Sequence, residues 1–324
     1  MKISWGILGA GSIAGKFVSD FEQVTNGKVV AVGSRSLKKA REFAKQFTIE
    51  KAYGSYEELV SDPAVDVVYV ATPHSFHLEH TLLCLRNNKH VLCEKPVAVN
   101  ASEFSKMAEE AKQRNLLLME AMWTPFLPPV IKAMEWIHSG LLGHIKLIQA
   151  NFGFVGNLNT DGRLMNPYLA GGSLLDIGIY PLTLSEMVAQ SEIDHIDVKA
   201  IMTSSGVDET LAIQLAYKNG IFAQLSSSFV SLMIKDGLIY GTKGFIRLSD
   251  FWSSKKVYIK TDSFEDTFED KRTTMGYNYE TEHVGELLLA GKTESPVMPL
   301  ARTMKMMQLM DEIRKQIGLV YPME

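Results

Sequence analysis

The sequence predicts an α/β protein with a doubly wound parallel sheet in its N-terminal part and a C-terminal α+β domain on a mostly antiparallel open sheet. Over about the first 120 residues, short apolar runs alternate with helix-like stretches, as in parallel strands joined by crossover helices. Beyond residue 123, β-rich runs separated by turn residues take over. The length of 324 residues suits two domains of roughly 150 residues each. We therefore predict domains at residues 1–122 and 123–324.

Composition excludes several classes of protein. Apolar residues make up 46% and charged residues 22%, which is the balance of an ordinary globular protein. A net charge of −4 gives no electrostatic reason to expect a nucleic-acid partner. Two cysteines cannot form a secreted disulfide framework, and no apolar run approaches the roughly 20 residues of a membrane span. The expected location is the cytoplasm, with no membrane partner.

The parallel sheet is predicted from five runs that are apolar on both faces: Ile3–Leu8, Val29–Gly33, Val65–Ala71, His90–Cys93 and Leu116–Met119. Helical stretches between them are expected at Ser12–Glu22, Leu37–Phe47, Phe76–Asn88 and Ala101–Asn115. Helices that return the chain to a parallel sheet make right-handed crossovers.

The second half begins with a predicted helix at Phe126–His138, near whose start Pro128 and Pro129 lack only N–H groups that a helix leaves unpaired. The Asn-Gly pair in "YKNGI" (Tyr217–Ile221) predicts a hairpin. A final helix is expected at Ala301–Gly318. Strands are expected at Ile145–Phe154, Ile196–Ser204, Thr210–Tyr217, Phe222–Val230, Gly237–Tyr240 and Phe245–Leu248.

A glycine-rich turn follows the first strand. Gly9 and Gly11, with Ala14 three residues on, form the pattern G-x-G-x-x-A at the start of a predicted helix. Gly9 allows the tight turn, Gly11 lets the backbone approach a pyrophosphate, and Ala14 lets helix and strand pack closely. The N–H groups at Ser12 and Ile13 would face the phosphates. This predicts a Rossmann-type dinucleotide site, the alternative being a glycine-rich turn without a ligand.

The end of the second strand indicates which dinucleotide. Proteins that prefer NAD usually carry Asp or Glu there to bind the ribose hydroxyls. Here Ser34, Arg35 and Ser36 occupy that place, and a guanidinium with two hydroxyls suits a 2′-phosphate. We predict NADP(H), with NAD as the alternative cofactor and a solvated surface arginine as the alternative role of Arg35.

Two further segments carry acid–base side chains. Glu94 and Lys95 follow the fourth predicted strand, so they are expected to face the cleft, where an ammonium stabilises charge on a reacting oxygen. In "GGSLLDIGIYPL" (Gly171–Leu182), Asp176 and Tyr180 share one face if the segment is helical. A tyrosine near a lysine can exchange protons. The alternatives are a surface Glu-Lys turn and a tyrosine packed at a helix end.

Three histidines, His74, His77 and His80, are spaced by three residues. No cysteine accompanies them at zinc-finger spacing, so we expect no metal. His74 or His77 is expected to face the cleft near the nicotinamide, and His80 is expected on the surface.

Taken together, these segments resemble the glucose–fructose oxidoreductase/inositol dehydrogenase/MocA-like (Gfo/Idh/MocA) oxidoreductases over essentially the whole chain. The motifs are "GILGAGSIA", "TPHSFHLEHTLLCLRNNKHVLCEKPVAVN" and "GGSLLDIGIYPL". Within that family the chain looks most like the dimeric dihydrodiol and NADP-dependent D-xylose dehydrogenases, on "KAYGSYEEL", "VLCEKP", "LMEAMWTPF" and "LLDIGIY".

The resemblance implies roles for individual residues. Lys95 matches the family's essential lysine, Tyr180 matches a catalytic tyrosine, Asp176 matches the acid that precedes it, and Arg35 matches the position that selects NADP. It also implies a homodimer formed through the C-terminal sheet. Cofactor contacts are implied at Thr72 and His77, and substrate-pocket aromatic residues at Trp123 and Phe152.

The sequence thus predicts an NADP(H)-dependent enzyme that transfers a hydride to or from a CH–OH or C=O group of a sugar, diol or small dicarbonyl. Residues 153–168 do not follow the xylose- or diol-oxidising pattern, so the substrate is left open. One alternative is a glycoside hydrolase of the same family that retains NAD. The other is a cofactor-sensing regulator without turnover.

Overall fold

The structure is a computed structural model that describes residues 2–324. It contains two compact units, one made of residues 2–123 and 273–307 and the other of residues 124–272 and 308–324. The predicted domains meet once, at residues 122 and 123, whereas the first compact unit also takes in a segment from the C-terminal part of the chain. The two units are described separately.

The first unit contains a six-stranded parallel sheet in the order β3-β2-β1-β4-β5-β6. The strand order reverses at β1, and in such sheets ligands bind beyond the carboxyl ends of the strands. This confirms the predicted doubly wound parallel sheet. Its strands are β1 (Ile3–Leu8), β2 (Gly27–Gly33), β3 (Lys51–Tyr53), β4 (Val67–Val70), β5 (His90–Glu94) and β6 (Leu118–Ala121).

Helices occupy both units and begin where capping side chains allow. Ser36 and Asn100 accept hydrogen bonds from the backbone N–H groups of Lys39 and Glu103, which gives α2 and α5 defined starts. The α-helices are α1 (Ser12–Ser19), α2 (Leu37–Phe47), α3 (Tyr56–Ser61), α4 (His77–Arg86), α5 (Ala101–Gln113), α6 (Pro128–His138), α7 (Ile179–Ala189), α8 (Tyr277–Leu289) and α9 (Leu300–Ile317).

The first helix is shorter than the predicted Ser12–Glu22. It ends at Ser19 and continues as a 3₁₀ turn, Asp20–Gln23. The Asp20 carboxylate accepts three hydrogen bonds of 2.8–2.9 Å from the backbone N–H groups of residues 275–277. These are the unpaired donors at the start of α8, so Asp20 caps a helix that is remote in sequence.

The second unit contains an eight-stranded sheet in the order β14-β13-β12-β11-β7-β10-β9-β8. Only β7 and β10 pair in parallel, so the predicted mostly antiparallel sheet is confirmed. Its strands are β7 (Ile145–Gly153), β8 (Ile193–Met202), β9 (Asp208–Tyr217), β10 (Phe222–Ser228), β11 (Gly237–Gly241), β12 (Gly244–Ser249), β13 (Lys256–Thr261) and β14 (Glu265–Glu269).

The predicted hairpin at Asn219-Gly220 joins β9 to β10, with Gly220 in the left-handed region at φ +82°. One face of the sheet packs against α7, which is buried on nearly all sides. On the other face, the alternation along β10 leaves Phe222 and Gln224 exposed. No helix within residues 2–324 is both long and apolar enough to span a membrane.

Candidate active site

The turn between β1 and α1 has the shape that a dinucleotide phosphate needs. Gly9 has φ +107°, and a Cβ there would lie 2.7 Å from the Ala71 carbonyl oxygen. A Cβ on Gly11 would meet no atom within 4 Å, so the space over this backbone is open. Ser12 and Ile13 begin α1, whose first turn holds no acidic side chain. A pyrophosphate fits this arrangement of open glycine backbone and helix N-terminus.

A cavity of about 740 Å³ lies beside the end of β2 in the first unit. Arg35, Tyr56, His80 and Arg86 are among its lining residues. The Arg35 side chain is exposed, and its guanidinium lies 5.9 Å from the centre of the Phe76 ring. An arginine and aromatic rings around one cavity suit a nucleotide with an extra phosphate.

The two neighbouring hydroxyls are already engaged in local backbone contacts. Ser36 caps α2, and Ser34 accepts a hydrogen bond of 3.4 Å from the Ser36 N–H. Of the three residues predicted to bind the 2′-phosphate, Arg35 is the one that lines the cavity.

The predicted histidines lie at the carboxyl edge of the first sheet. The His77 ring is fully buried between two backbone carbonyls, with Nδ1 2.8 Å from the Pro96 oxygen and Nε2 2.8 Å from the Thr72 oxygen. Burial lowers the pKa of His77 to about 4, so the neutral ring donates to one carbonyl at a time. His77 thus links the backbone at Thr72 to the backbone at Pro96. His74 is buried next to it, with ring centres 5.7 Å apart.

The expectation that His80 lies on the surface is wrong. His80 is only 8% exposed, packs against the rings of Tyr56 and Phe76, and has Nδ1 3.0 Å from the Thr72 hydroxyl. Its place on α4 turns it towards the cavity instead of the solvent. The predicted contacts of Thr72, His74 and His77 with a cofactor stay predictions.

Glu94 and Lys95 occupy the carboxyl end of β5. The Glu94 carboxylate is buried and accepts hydrogen bonds from the Tyr69 hydroxyl and, at 3.1 Å, from the Lys95 backbone N–H. Tyr69 is itself held by stacking on Phe17, with ring centres 3.7 Å apart. The Lys95 side chain is partly exposed. The turn therefore buries its acid, whereas its lysine is partly exposed.

Two buried carboxyl groups near this turn were not predicted from the sequence. Glu120 on β6 accepts a hydrogen bond of 3.0 Å from the Val97 N–H, and burial raises its pKa to about 7 although the charge of Lys95 opposes this. Glu280 on α8 is completely buried, and neither of its oxygens has a hydrogen-bond partner within residues 2–324. Burial, followed by the charges of Glu94 and Glu120, raises the pKa of Glu280 well above its ordinary value. Burial therefore favours the protonated, neutral form of Glu280 over the carboxylate.

In the second unit, the segment that carries Asp176 and Tyr180 is helical and divides into two kinds of helix. Leu174–Gly178 is a π-helix, and α7 begins at Ile179. Asp176 lies in the π-helix and Tyr180 in the first turn of α7, both buried. The wider turn changes the angle between them from that of an α-helix. Such π-segments are rare and occur frequently at functional sites.

Arg163 holds the Asp176 carboxylate in a two-pronged ion pair with nitrogen–oxygen distances of 2.9 and 3.2 Å. A planar guanidinium fixes both carboxylate oxygens at once. Arg163 lies in the loop between β7 and α7, in the same stretch whose pattern left the substrate open. No sequence motif indicates this pairing, since the two partners lie thirteen positions apart across a mostly irregular segment.

Aromatic rings surround Tyr180. Its ring centre lies 5.5 Å from that of Phe152 and 5.9 Å from that of Trp252, and Phe152 stacks on Trp252 at 4.9 Å. Trp252 was not predicted. Trp123, in the first unit, is buried and stacks on Tyr277 at 4.4 Å.

Each unit thus brings some of the predicted residues together. The first places its predicted cofactor and acid–base residues along the carboxyl edge of one parallel sheet. The second groups Phe152, Asp176 and Tyr180 with Arg163 and Trp252.

Family models match both parts of the chain. A model described as an oxidoreductase family with an NAD-binding Rossmann fold matches residues 3–122, and a Gfo/Idh/MocA C-terminal-domain model matches residues 130–247. The chain belongs to the Gfo/Idh/MocA oxidoreductase family. The family resemblance inferred from the sequence is confirmed.

Full-length relatives of this family member carry one shared description. A trans-1,2-dihydrobenzene-1,2-diol dehydrogenase of Bos taurus is 38% identical and one of Xenopus tropicalis is 37% identical. The alignments cover 100% and 99% of this chain, and 99% and 100% of the relatives. The chain is therefore an oxidoreductase with the architecture of these dehydrogenases along its whole length.

Solved structures of other proteins share the fold. An aldose-aldose oxidoreductase from Caulobacter crescentus, complexed with glycerol, superposes with a TM-score of 0.89 at 24% identity over 97% of both chains. A 3-ketoreductase from Actinomadura kijaniata with NADP gives 0.86 at 24% identity, over 97% of this chain and 98% of that one. A levoglucosan dehydrogenase with NADH and levoglucosan gives 0.88 at 17% identity over 98% of both chains. At these identities the likeness establishes the fold alone.

Proposed function

We propose that this oxidoreductase transfers a hydride between NADP(H) and a CH–OH or C=O carbon of a sugar, diol or small dicarbonyl compound. The proposal rests on one observation above all. Each unit presents an acid–base side chain of the family pattern, Lys95 or Tyr180, on a segment that also carries a buried carboxylate, Glu94 or Asp176. A non-catalytic regulator has no use for these pairs.

When bound, the dinucleotide supplies the hydride acceptor or donor, held by the open backbone at Gly11 and the N–H groups that begin α1. Tyr180 takes the hydroxyl proton as the alcohol is oxidised and returns it in the reverse reaction. Lys95 stabilises the partial negative charge on the reacting oxygen. Asp176, fixed by Arg163, provides a rigid acceptor for a substrate hydroxyl.

The choice of NADP over NAD is supported by Arg35. Its guanidinium is exposed at the cavity beside β2, where an NAD-preferring protein would place an acid. The levoglucosan dehydrogenase complex contains NADH and the 3-ketoreductase complex contains NADP, so membership of the fold does not decide between them.

The remaining parts of the proposal concern partners and location. A homodimer is supported by the open face of the second sheet. On this face Phe222 is 58% exposed, and Gln224 on the same strand lines a shallow cavity of about 660 Å³. A cytoplasmic location is supported by Cys84 and Cys93, both free, buried thiols whose pKa burial raises.

The mechanism is tested by Lys95→Met and Tyr180→Phe, assayed on the fastest substrate found for the native protein. Turnover should fall by at least about a hundredfold in each variant, the usual contribution of such groups. Tyr240→Phe, on β11, is the matched control and should keep native turnover. Near-native turnover in both site variants would overturn the assigned roles.

A further inference from the structure

The segment that carries Asp176 and Tyr180 is entered through two glycines. Gly172 has φ +113°, and a Cβ there would collide with the Asp208 carboxylate of β9. The backbone at Gly172 therefore lies in close contact with the buried Asp208 carboxylate. Any side chain at residue 172 would force the entry to the π-helix away from β9.

Asp208 fixes the start of the π-helix. It is fully buried, and its Oδ2 accepts hydrogen bonds of 2.8 Å from the Ser173 hydroxyl and 2.7 Å from the Leu174 backbone N–H. The Ser227 hydroxyl lies 2.9 Å from that of Ser173 and extends the network to β10. A carboxylate at a helix start satisfies donors that would otherwise be unpaired.

Tyr321 holds the other side of the same entry. Its hydroxyl donates a hydrogen bond of 2.6 Å to the Gly171 carbonyl, and its side chain is 1% exposed. The Arg314 guanidinium lies 5.2 Å from the centre of its ring. Glu324 accepts hydrogen bonds from the Tyr321 N–H at 2.9 Å and from Arg314 at 2.6 and 2.8 Å. Tyr321 is thus itself held rigidly in place.

We propose that Tyr321 and Asp208 are positioning residues for the proposed reaction, which orient Asp176 and Tyr180 by fixing residues 171–174 from two sides. The expected effect on turnover rests on the proposed function. The claim that residues 171–174 are held in place rests on the hydrogen bonds alone. The hydrogen bonds that Tyr321 and Asp208 make here go to Gly171, Ser173 and Leu174. Both act on the backbone that leads into the π-helix.

A small shift of this backbone is enough to matter. Asp176 lies two residues after Leu174, and its carboxylate must keep both contacts with Arg163. Displacing a reacting group by about 1 Å can cost a hundredfold in rate. Loss of one of several anchors should cost less, about tenfold in kcat.

The test compares Tyr321→Phe with Tyr217→Phe. Tyr217 is 4% exposed, and its hydroxyl lies 2.7 Å from that of Ser185 on α7. The control variant therefore also removes a buried tyrosine hydroxyl, but one that contacts α7 and not residues 171–174. Amide hydrogen exchange of residues 172–180 is measured first, since it needs no turnover. It should be faster in Tyr321→Phe and unchanged in Tyr217→Phe.

Turnover is measured second. In Tyr321→Phe, kcat should fall about tenfold while the Kd for NADPH stays unchanged, and Tyr217→Phe should keep its kcat. Unchanged exchange in Tyr321→Phe, or faster exchange with native kcat, would overturn the proposal. If the native protein itself shows no turnover, the proposed function fails, and the exchange result alone decides the positioning role. Should Tyr321→Phe not fold, Asp208→Asn takes its place with the same expectations.

Discussion

At the scale of single residues, Arg35 is the side chain on which the cofactor preference depends. Arg35→Asp places a carboxylate where a 2′-phosphate would bind, so the two negative charges repel. We expect the KM for NADPH to rise by at least about tenfold, while the KM for NADH does not rise. Steady-state kinetics with both cofactors measures this. Arg41→Asp, an exposed change of equal charge on α2, is the control.

An unchanged preference for NADPH in Arg35→Asp would contradict the role given to this residue. Equal losses in the Arg35 and Arg41 variants would attribute the effect to net charge instead.

Individual site residues could be predicted from the sequence only where they belong to a motif. Gly9, Gly11 and Lys95 lie in short motifs whose spacing has a physical reason. In the structure Gly9 has a positive φ, and the space beside Gly11 is open. Arg163 and Glu280 lie in no such motif. Asp176, the ion-pair partner of Arg163, is thirteen positions away, and the acidic groups whose charges act on Glu280 lie far from it along the chain. Glu120 did leave a signal, because an acid within the apolar run of residues 116–122 has to be buried.

At the scale of elements, α8 brings an ionisable group into the interior of the first unit. Glu280 on this helix faces the charges of Glu94 on β5, Glu120 on β6 and Asp20 after α1. Its pKa is raised on folding, so between its ordinary value and the raised one the folded protein binds more protons than the unfolded chain. Stability contributed by this group is therefore present below the ordinary pKa of a glutamate and is lost as the pH rises from that value through the raised one.

Glu280→Gln removes the titrating group and keeps its shape. We expect the variant to unfold a few degrees higher than the native protein at pH 8 and to show a smaller difference at pH 5. Thermal denaturation at the two pH values measures this. Glu286→Gln, an exposed change on the same helix, should leave the pH dependence as it is. The claim that the pKa of Glu280 is raised would be contradicted if the Tm of the native protein and the Tm of Glu280→Gln changed equally between pH 5 and pH 8.

Elements were predictable where they are long and apolar, and less so elsewhere. The strands of the parallel sheet that carry Val-rich runs were found, but β3 and α3 are too short to show a period. β13 and β14 lie at one edge of the second sheet, and the exposed, charged sequence of β14 lacks the apolar alternation of a covered strand. Only a regular helix was considered from the sequence for residues 171–182, because residue spacing alone does not distinguish a π-helix from an α-helix.

At the scale of the whole molecule, the open face of the second sheet should be an interface between two copies of the chain. Light scattering should give about twice the 36.1 kDa of one chain. Phe222→Glu puts a charge on this face, at the start of β10, and should lower the mass towards that of one chain. Leu289→Glu, an exposed leucine on α8, is the control. A native mass of one chain, or a Phe222→Glu mass unchanged, would contradict the interface.

The central claim is net hydride transfer. The change in absorbance of the reduced nicotinamide ring tests it most directly. The purified protein is mixed with NADPH or NADP⁺ and a panel of pentoses, hexoses, anhydro-sugars, diols and dicarbonyls. We predict a steady change in absorbance with at least one compound, faster with NADP(H) than with NAD(H). Tight cofactor binding with no absorbance change on any compound would contradict hydride transfer to substrate and favour the NAD-retaining hydrolase or the cofactor-sensing regulator.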